Sequence, residues 1–206
     1  RGVTLADGIF ETILISEGKP ILFKEHLLRW KNSSNALGMD EPPSEEWLKP
    51  LIAKGMDLLL HNNSNCVLRL NWSRGVSLNR GIDISDYQKH SFWLEMHEWS
   101  ERFNSITTTI NKHETRNPNN ILSKHKTFSY GQSIYARKQA RIDGYDDALF
   151  SSTTGEICCG TTANLIILRG NEFLTPRIES GCLPGIIREV GIQVGLLKEV
   201  KLEPKP

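Results

Sequence analysis

The chain has 206 residues, 38% of them apolar and 24% charged, with a formal net charge of +1. That length supports one large packed domain or two small ones, and so small a net charge gives no field suited to a nucleic-acid partner. Apolar runs are only a few residues long, as at Leu58-Leu59-Leu60, so no segment is suited to spanning a bilayer.

A hairpin is expected first. Ile9 to Ile15 is apolar, Glu17-Gly18-Lys19-Pro20 reads as a turn, and Ile21-Leu22-Phe23 reads as the returning strand. From Glu25, the residues Leu27, Trp30, Ser34 and Leu37 recur at helical spacing, and Gly38 fits a C-terminal cap. A second helix is expected after Ser44, with Trp47, Leu48, Leu51, Ile52 and Leu58 or Leu59 turned inward. Pro50 suggests a late start or a bend in it. Cys66, Leu68, Leu70 and Trp72 alternate with Val67, Arg69 and Asn71, the pattern of a half-buried strand, and Phe92, Leu94 and Met96 alternate likewise.

The pattern breaks into polar residues between Glu98 and Ser105, which predicts domains over 1–100 and 101–206. Thr107 to Ile110 opens the second set of elements. Ser129 to Ile142 reads as a helix closed by Gly144. Then come a strand at Ala148-Phe150, a turn at Thr153-Gly155, strands at Glu156-Cys159 and Leu165-Leu168, a turn at Arg169-Asn171, and a helix from Ile186. Hairpins mixed with helices, without regular alternation, predict an α+β fold. The chain opens without methionine and carries no signal-peptide apolar core. It stops at Lys205-Pro206, soon after a strand-like run begins at Val200. Both ends read as interior to a longer protein.

The cysteines are Cys66, Cys158, Cys159 and Cys182. A neighbouring pair is poorly placed for an ordinary disulfide, and no Cys-x-x-Cys or His-x-x-x-His spacing marks a metal site. Adjacent side chains on a strand point apart, so Cys158 and Cys159 are expected as buried packing rather than as a redox or metal centre. A reducing, cytoplasmic setting follows.

Three segments carry the chemistry. Lys126 stands in Lys126-Thr127-Phe128-Ser129-Tyr130-Gly131, just before a helix. The Gly/Ser/Thr-rich hairpin Gly155-Glu156-Ile157-Cys158-Cys159-Gly160-Thr161-Thr162-Ala163-Asn164-Leu165 follows, and then the turn Leu183-Pro184-Gly185-Ile186-Ile187-Arg188. Taken singly, Lys126 reads as a solvated lysine, Arg29 as a surface charge on a helix, Tyr130 as a core tyrosine, and Arg74 and Arg80 as exposed loop arginines.

Their order and spacing resemble the fold-type IV pyridoxal-phosphate enzymes, a two-domain α+β family that includes D-amino-acid and branched-chain aminotransferases and 4-amino-4-deoxychorismate lyase. The likeness runs from Gly2 to about Val194. The Lys-(Ser/Thr)-x-x-Tyr pattern falls on Lys126 and Tyr130, and Gly144-Tyr145-Asp146-Asp147-Ala148-Leu149 matches the segment after its helix. The resemblance implies that Lys126 forms the Schiff base with pyridoxal 5'-phosphate, with Lys124 the alternative, and that Tyr130 meets the cofactor's phenolic oxygen. A Schiff-base lysine must be held rigidly and partly desolvated so that its amine can lose a proton. Glu25-His26-Leu27-Leu28-Arg29-Trp30 matches a His-Leu-x-Arg-Leu motif whose arginine forks onto the phosphate. The turn at Gly185, Ile186 and Ile187 would present backbone N–H groups to that phosphate, although Ile187 replaces the family's threonine. Phe10-Glu11-Thr12 matches an architectural strand motif, with Glu11 or Thr12 near the cofactor.

Cys159 falls where the family has a glutamate that pairs with the pyridine nitrogen, while Asn164 keeps its family position and supports the hairpin. The carboxylate keeps that nitrogen protonated and the ring an electron sink, and a thiol of ordinary pKa cannot do this fully. Arg74-Gly75 and Arg80-Gly81 resemble a lyase loop in which an arginine meets a substrate carboxylate, here one residue longer. The resemblance therefore implies a lyase acting on a small amino substrate, aminodeoxychorismate, to give pyruvate and 4-aminobenzoate for folate biosynthesis. The alternatives are a branched-chain or D-amino-acid aminotransferase and a non-catalytic member. A cytoplasmic homodimer, with no nucleic-acid or membrane partner, is expected.

Overall fold

In the computed structural model, which describes residues 1–59, 65–76, 80–85, 88–100 and 103–204, the chain forms two units. The first comprises Arg1–Phe103 with Lys126–Phe128, and the second Asn104–His125 with Ser129–Pro206. Residues 126–128, which the sequence reading assigned to the second domain, thus pack with the first unit.

An antiparallel sheet organises the first unit. After the short helix α1 (Gly2–Leu5), its strands are β1 (Gly8–Ser16), β2 (Lys19–Pro20), β3 (Cys66–Val76) and β4 (Lys89–Glu98), in the order β2-β1-β3-β4. Alternation places Ile9, Ile13, Ile15, Cys66, Leu68 and Leu70 in the core. The register sets Ile13 against Leu68 and Ile15 against Cys66. Helices α2 (Phe23–Ala36) and α3 (Glu45–Leu59) close this core with Trp30, Leu48 and Ile52. Gly38 has φ 60°, the left-handed conformation that ends α2.

Several expectations are corrected. The returning strand of the first hairpin is only Lys19–Pro20, and Phe23 already opens α2, because Leu22 turns the chain at φ 51°. Helix α3 runs through Pro50 without a break and buries a narrow stripe, Leu48 and Ile52. Trp47, Leu51 and Leu58 are exposed; Trp47 lies at the rim, edge-on to Phe92 at 5.2 Å. Leu60 and residues 77–79 of the Arg74–Arg80 loop lie outside the described residues.

The second unit holds two three-stranded sheets. Strands β5 (Thr108–Arg116), β6 (Asp147–Ser152) and β7 (Ile157–Gly160) form one, in the order β5-β6-β7. Helix α4 (Gly131–Ile142) lies between β5 and β6 in the chain, which supplies the crossover that a parallel pair requires. It begins two residues later than its pattern suggests and ends before Gly144, whose φ is 86°. The other sheet, β10-β9-β8, contains β8 (Ile167–Arg169), β9 (Glu172–Pro176) and β10 (Leu197–Val200), with α5 (Ile186–Gln193) between β9 and β10. Strand β9 has no counterpart among the expected strands, and Val200, expected to begin a strand, instead ends β10.

Candidate active site

Lys126 is held by backbone. Phe10 N donates to Lys126 O at 2.9 Å, Phe128 N donates to Gly8 O at 2.9 Å, and Ile9 bridges Thr127 in antiparallel sense. Residues 126–128 therefore extend the first sheet along β1, which fixes the lysine far better than a loop would. Gly8 is required there, since a Cβ would lie 2.2 Å from the Phe128 ring. Phe128 stacks on Phe10 at 6.2 Å and meets Trp93 at 5.6 Å. Lys126 Nζ lies 4.4 Å from the Phe10 centroid. Burial lowers the Lys126 pKa to about 8; Glu11 opposes this, while the Arg29 and Arg69 charges add to it. Lys124, by contrast, ends an exposed 3-10 turn. The geometry separates the two candidate lysines clearly.

Arg29 reaches from α2 to β1. Its Nε and Nη2 donate to the two Glu11 oxygens at 2.8 and 2.7 Å, and His26 Nδ1 lies 2.7 Å from Glu11 Oε2. Burial of Glu11 opposes its ionisation, yet the hydrogen bonds from His26 and Arg29 outweigh it and hold the carboxyl below the usual range. Glu11 is thus the group that orients Arg29. Arg69 is a residue that the sequence reading passed over; its guanidinium lies 3.7 Å from the Phe10 centroid, and its Nε donates to Asn71 Oδ1 at 2.8 Å. It sits in an ordinary polar slot of an alternating strand, so nothing in the pattern distinguishes it.

The two loop arginines part company. Arg74 is not in an exposed loop but buried on β3, where it pairs with Asp7 and donates to Leu37 O, Gly38 O and Gln88 Oε1. With its guanidinium engaged in this way it ties β3 to the end of α2, and its expected role on a substrate is corrected to a structural one. Arg80 is exposed.

In the second unit, Tyr130 is half-buried at the N-cap of α4. Asn164 bridges Cys159 and donates from Nδ2 to Leu183 O at 2.8 Å, so it braces the following turn as well as the hairpin. A Cβ on Gly185 would stand 1.8 Å from Asn164 Oδ1, so only glycine allows this close approach. Gly185 is the N-cap of α5 and brings no side-chain cap to it. Ile186 and Ile187 begin that helix, Ile186 buried and Ile187 exposed, with the first-turn N–H groups and the helix dipole suited to an anion. Arg188, unnoticed in sequence, is buried and donates to Pro176 O and Glu199, anchoring α5.

Cys159 is buried on β7, and Cys158 Sγ lies 3.6 Å from its Sγ. The expectation that these thiols point apart is corrected. The pairing shifts from Phe150 opposite Cys159 to Ser151 opposite Ile157, so Cys158 is an extra, bulged residue whose side chain no longer alternates. Glu156 cannot serve in place of Cys159, because Arg177 and Thr154 engage its carboxylate. Among the described residues no cluster of His, Cys, Asp or Glu is arranged to hold a metal ion, and no helix is long and apolar enough to cross a membrane.

The chain belongs to the amino-transferase class IV family, whose model matches residues 8–206. Its α+β architecture is that of the fold-type IV enzymes, and the family's cofactor is pyridoxal 5'-phosphate. A Legionella pneumophila structure provisionally named as a 4-amino-4-deoxychorismate lyase is similar at TM-score 0.82 and 28% identity, over 98% of this chain and 75% of that one. A Methanocaldococcus jannaschii protein, provisionally named a branched-chain-amino-acid aminotransferase, is 26% identical over 100% of this chain and 71% of its own length. The aminodeoxychorismate lyase of Bacillus subtilis is 23% identical over 100% of this chain and 69% of its own.

Proposed function

We propose that the chain is a pyridoxal-phosphate lyase that releases pyruvate from 4-amino-4-deoxychorismate and leaves 4-aminobenzoate, a folate precursor. The residues present fit the cofactor: a half-buried amine with a pKa of about 8 for its aldehyde, and an uncapped helix start behind a glycine for its phosphate. The cofactor supplies an electron-accepting ring. Lys126 would bind its aldehyde and afterwards take the ring proton beside the substrate nitrogen. An amine with this pKa is partly neutral near pH 7 and can act as a base. Arg29, oriented by Glu11, and the N–H groups of Ile186 and Ile187 would hold the phosphate. Tyr130 would meet the phenolic oxygen, and Arg80 a substrate carboxylate.

The observation that carries the choice of reaction is Cys159. A sulfur group already engaged by Cys158 is a poorer partner for a protonated pyridine than a carboxylate would be. Amino transfer relies on the ring as a sink in both half reactions, whereas elimination here is drawn forward by formation of an aromatic ring. A weakened sink therefore handicaps the transferase more. The second reading, a branched-chain aminotransferase, is supported by the similarity to the M. jannaschii protein. Cys159→Glu tests the choice, with both activities measured in parent and variant and D-alanine and branched-chain amino acids as donors. The expected result is a rise in amino transfer relative to elimination. Efficient amino transfer by the parent would overturn the lyase reading.

A further inference from the structure

Arg116, Phe150 and Cys159 meet on one face of the β5-β6-β7 sheet. The register sets Phe150 opposite Cys159, so their side chains share a face, and the Arg116 guanidinium lies over the Phe150 ring, 4.5 Å from its centroid. Arg116 Nη2 donates to Ser133 Oγ at 2.9 Å, while its Nε is buried with no hydrogen-bond partner among the described residues. A guanidinium cannot shed its proton, and burying it without a counter-charge is costly. The carboxylates on this sheet are engaged elsewhere: Asp147 by Arg137 at 3.1 Å from each oxygen and by Thr161 Oγ1 at 2.5 Å, and Glu114 by Gln132 Nε2 at 2.9 Å. Opposite Phe150, the ring that Arg116 covers, stands the sulfur of Cys159. The bulge at Cys158 brings a second thiol to 3.6 Å from Cys159 Sγ as a donor.

We propose that Cys158, Cys159 and Arg116 form a built anionic sulfur centre, in which Cys159 is a thiolate that accepts from the Cys158 thiol and is neutralised by the Arg116 guanidinium. Arg116 and Cys158 are its positioning residues. The centre stands where the fold-type IV enzymes carry a carboxylate, but its charge is offset by Arg116 and shared with the Cys158 thiol, so it is a weaker partner for a protonated pyridine than that carboxylate; for that role, though not for its existence, it rests on the cofactor reading above. The charges facing Cys159 agree. The Cys158 hydrogen bond pulls its thiol below the ordinary range against burial, Arg116 on β5 adds to this, and Asp147 on β6 opposes it. The Cys158 thiol is pushed up by its bond to Cys159 and by burial, while burial alone raises Cys66 and dominates the rise of Cys182, which feels the Cys159 charge. Cys159 is the one of the four that ionises first.

The test is a pH titration of ultraviolet thiolate absorbance in the full-length protein, first without cofactor. The parent should show one thiolate persisting below the ordinary thiol pKa of about 8.5. Cys159→Ser should abolish that signal. Arg116→Gln and Cys158→Ser should shift its midpoint upward, and Arg116→Lys should restore part of the shift. If Arg116→Gln does not fold, Cys158→Ser and Arg116→Lys still decide. With pyridoxal phosphate bound, the pH dependence of the cofactor's absorption band should move in the same variants. Thiolate absorbance that rises only in the ordinary range, or that survives Cys159→Ser, overturns the centre. That result together with 4-aminobenzoate formation would remove the sulfur centre and leave the lyase reading standing. A low-pH thiolate in a protein without lyase activity would do the reverse.

Discussion

Lys126 has the property that a carbonyl-binding amine needs, and the pH dependence that follows has a definite sign. Its folded pKa of about 8 lies below its ordinary value of 10.5. Below pH 8 the folded protein bears the cost of a charged, half-buried amine in full. Between the two values the folded state has lost the proton that the unfolded state keeps, so this group makes stability rise with pH. Urea unfolding at about pH 7 and about pH 10 should show that rise in the parent and lose it in Lys126→Met. Reductive trapping with pyridoxal phosphate and borohydride should label Lys126 with a rate that climbs through pH 8. Label on Lys124, or on no lysine, would remove Lys126 from the site.

Arg29 gives a second prediction at this scale. Arg29→Ala leaves Glu11, 1% exposed, without its fork partner. Breaking such a pair costs about 3–5 kcal/mol, and cofactor affinity should fall with it. Glu11 has a depressed folded pKa, so its contribution is present above the ordinary carboxyl range and is lost as pH falls through the folded value. In the variant that loss should begin at higher pH, which acid unfolding would measure. A variant that keeps both its cofactor and its acid stability would show that the phosphate is held elsewhere. The sequence made Lys126 and Arg29 legible through motifs, because each motif spans a few consecutive residues. Glu11 as the partner of Arg29, and Arg69 over Phe10, were not legible, since such contacts cross from helix to strand or lie in unremarkable polar slots.

At the scale of elements, the turn into α5 is defined by a single close approach. A methyl group at Gly185 would collide with Asn164 Oδ1, so Gly185→Ala should displace the Leu183–Gly185 turn and loosen cofactor binding. Overpacking of this kind costs about 1–3 kcal/mol. Cofactor fluorescence titration and chemical denaturation should both register it, and a smaller loss is expected when Asn164→Ala is already present. Equal affinity in parent and Gly185→Ala would show that the turn does not hold the phosphate. Regular elements were readable where periodicity is clean, as in β3 with Cys66, Leu68 and Leu70 buried, and at the glycines that end α2 and α4. The bulge at Cys158 was not readable. Ile157, Cys158 and Cys159 are all apolar and all buried, so no alternation records where the register shifts. Strand β9 was missed because it is short, follows a glycine turn and ends on Pro176.

For the whole molecule, the chain carries a lysine on the first unit's sheet and, in the second unit, a sulfur centre and an uncapped helix start. Family membership and the mixed architecture could be anticipated from the order of three segments. The reaction could not, because it depends on the charge state of one side chain. The most direct measurement incubates the full-length protein, loaded with pyridoxal phosphate, with chorismate, glutamine and an aminodeoxychorismate synthase, and follows 4-aminobenzoate and pyruvate together. Both should appear in equal amounts, and neither should form with Lys126→Ala. Absence of 4-aminobenzoate, with steady amino transfer from branched-chain or D-amino acids by the same preparation, would contradict the lyase reading.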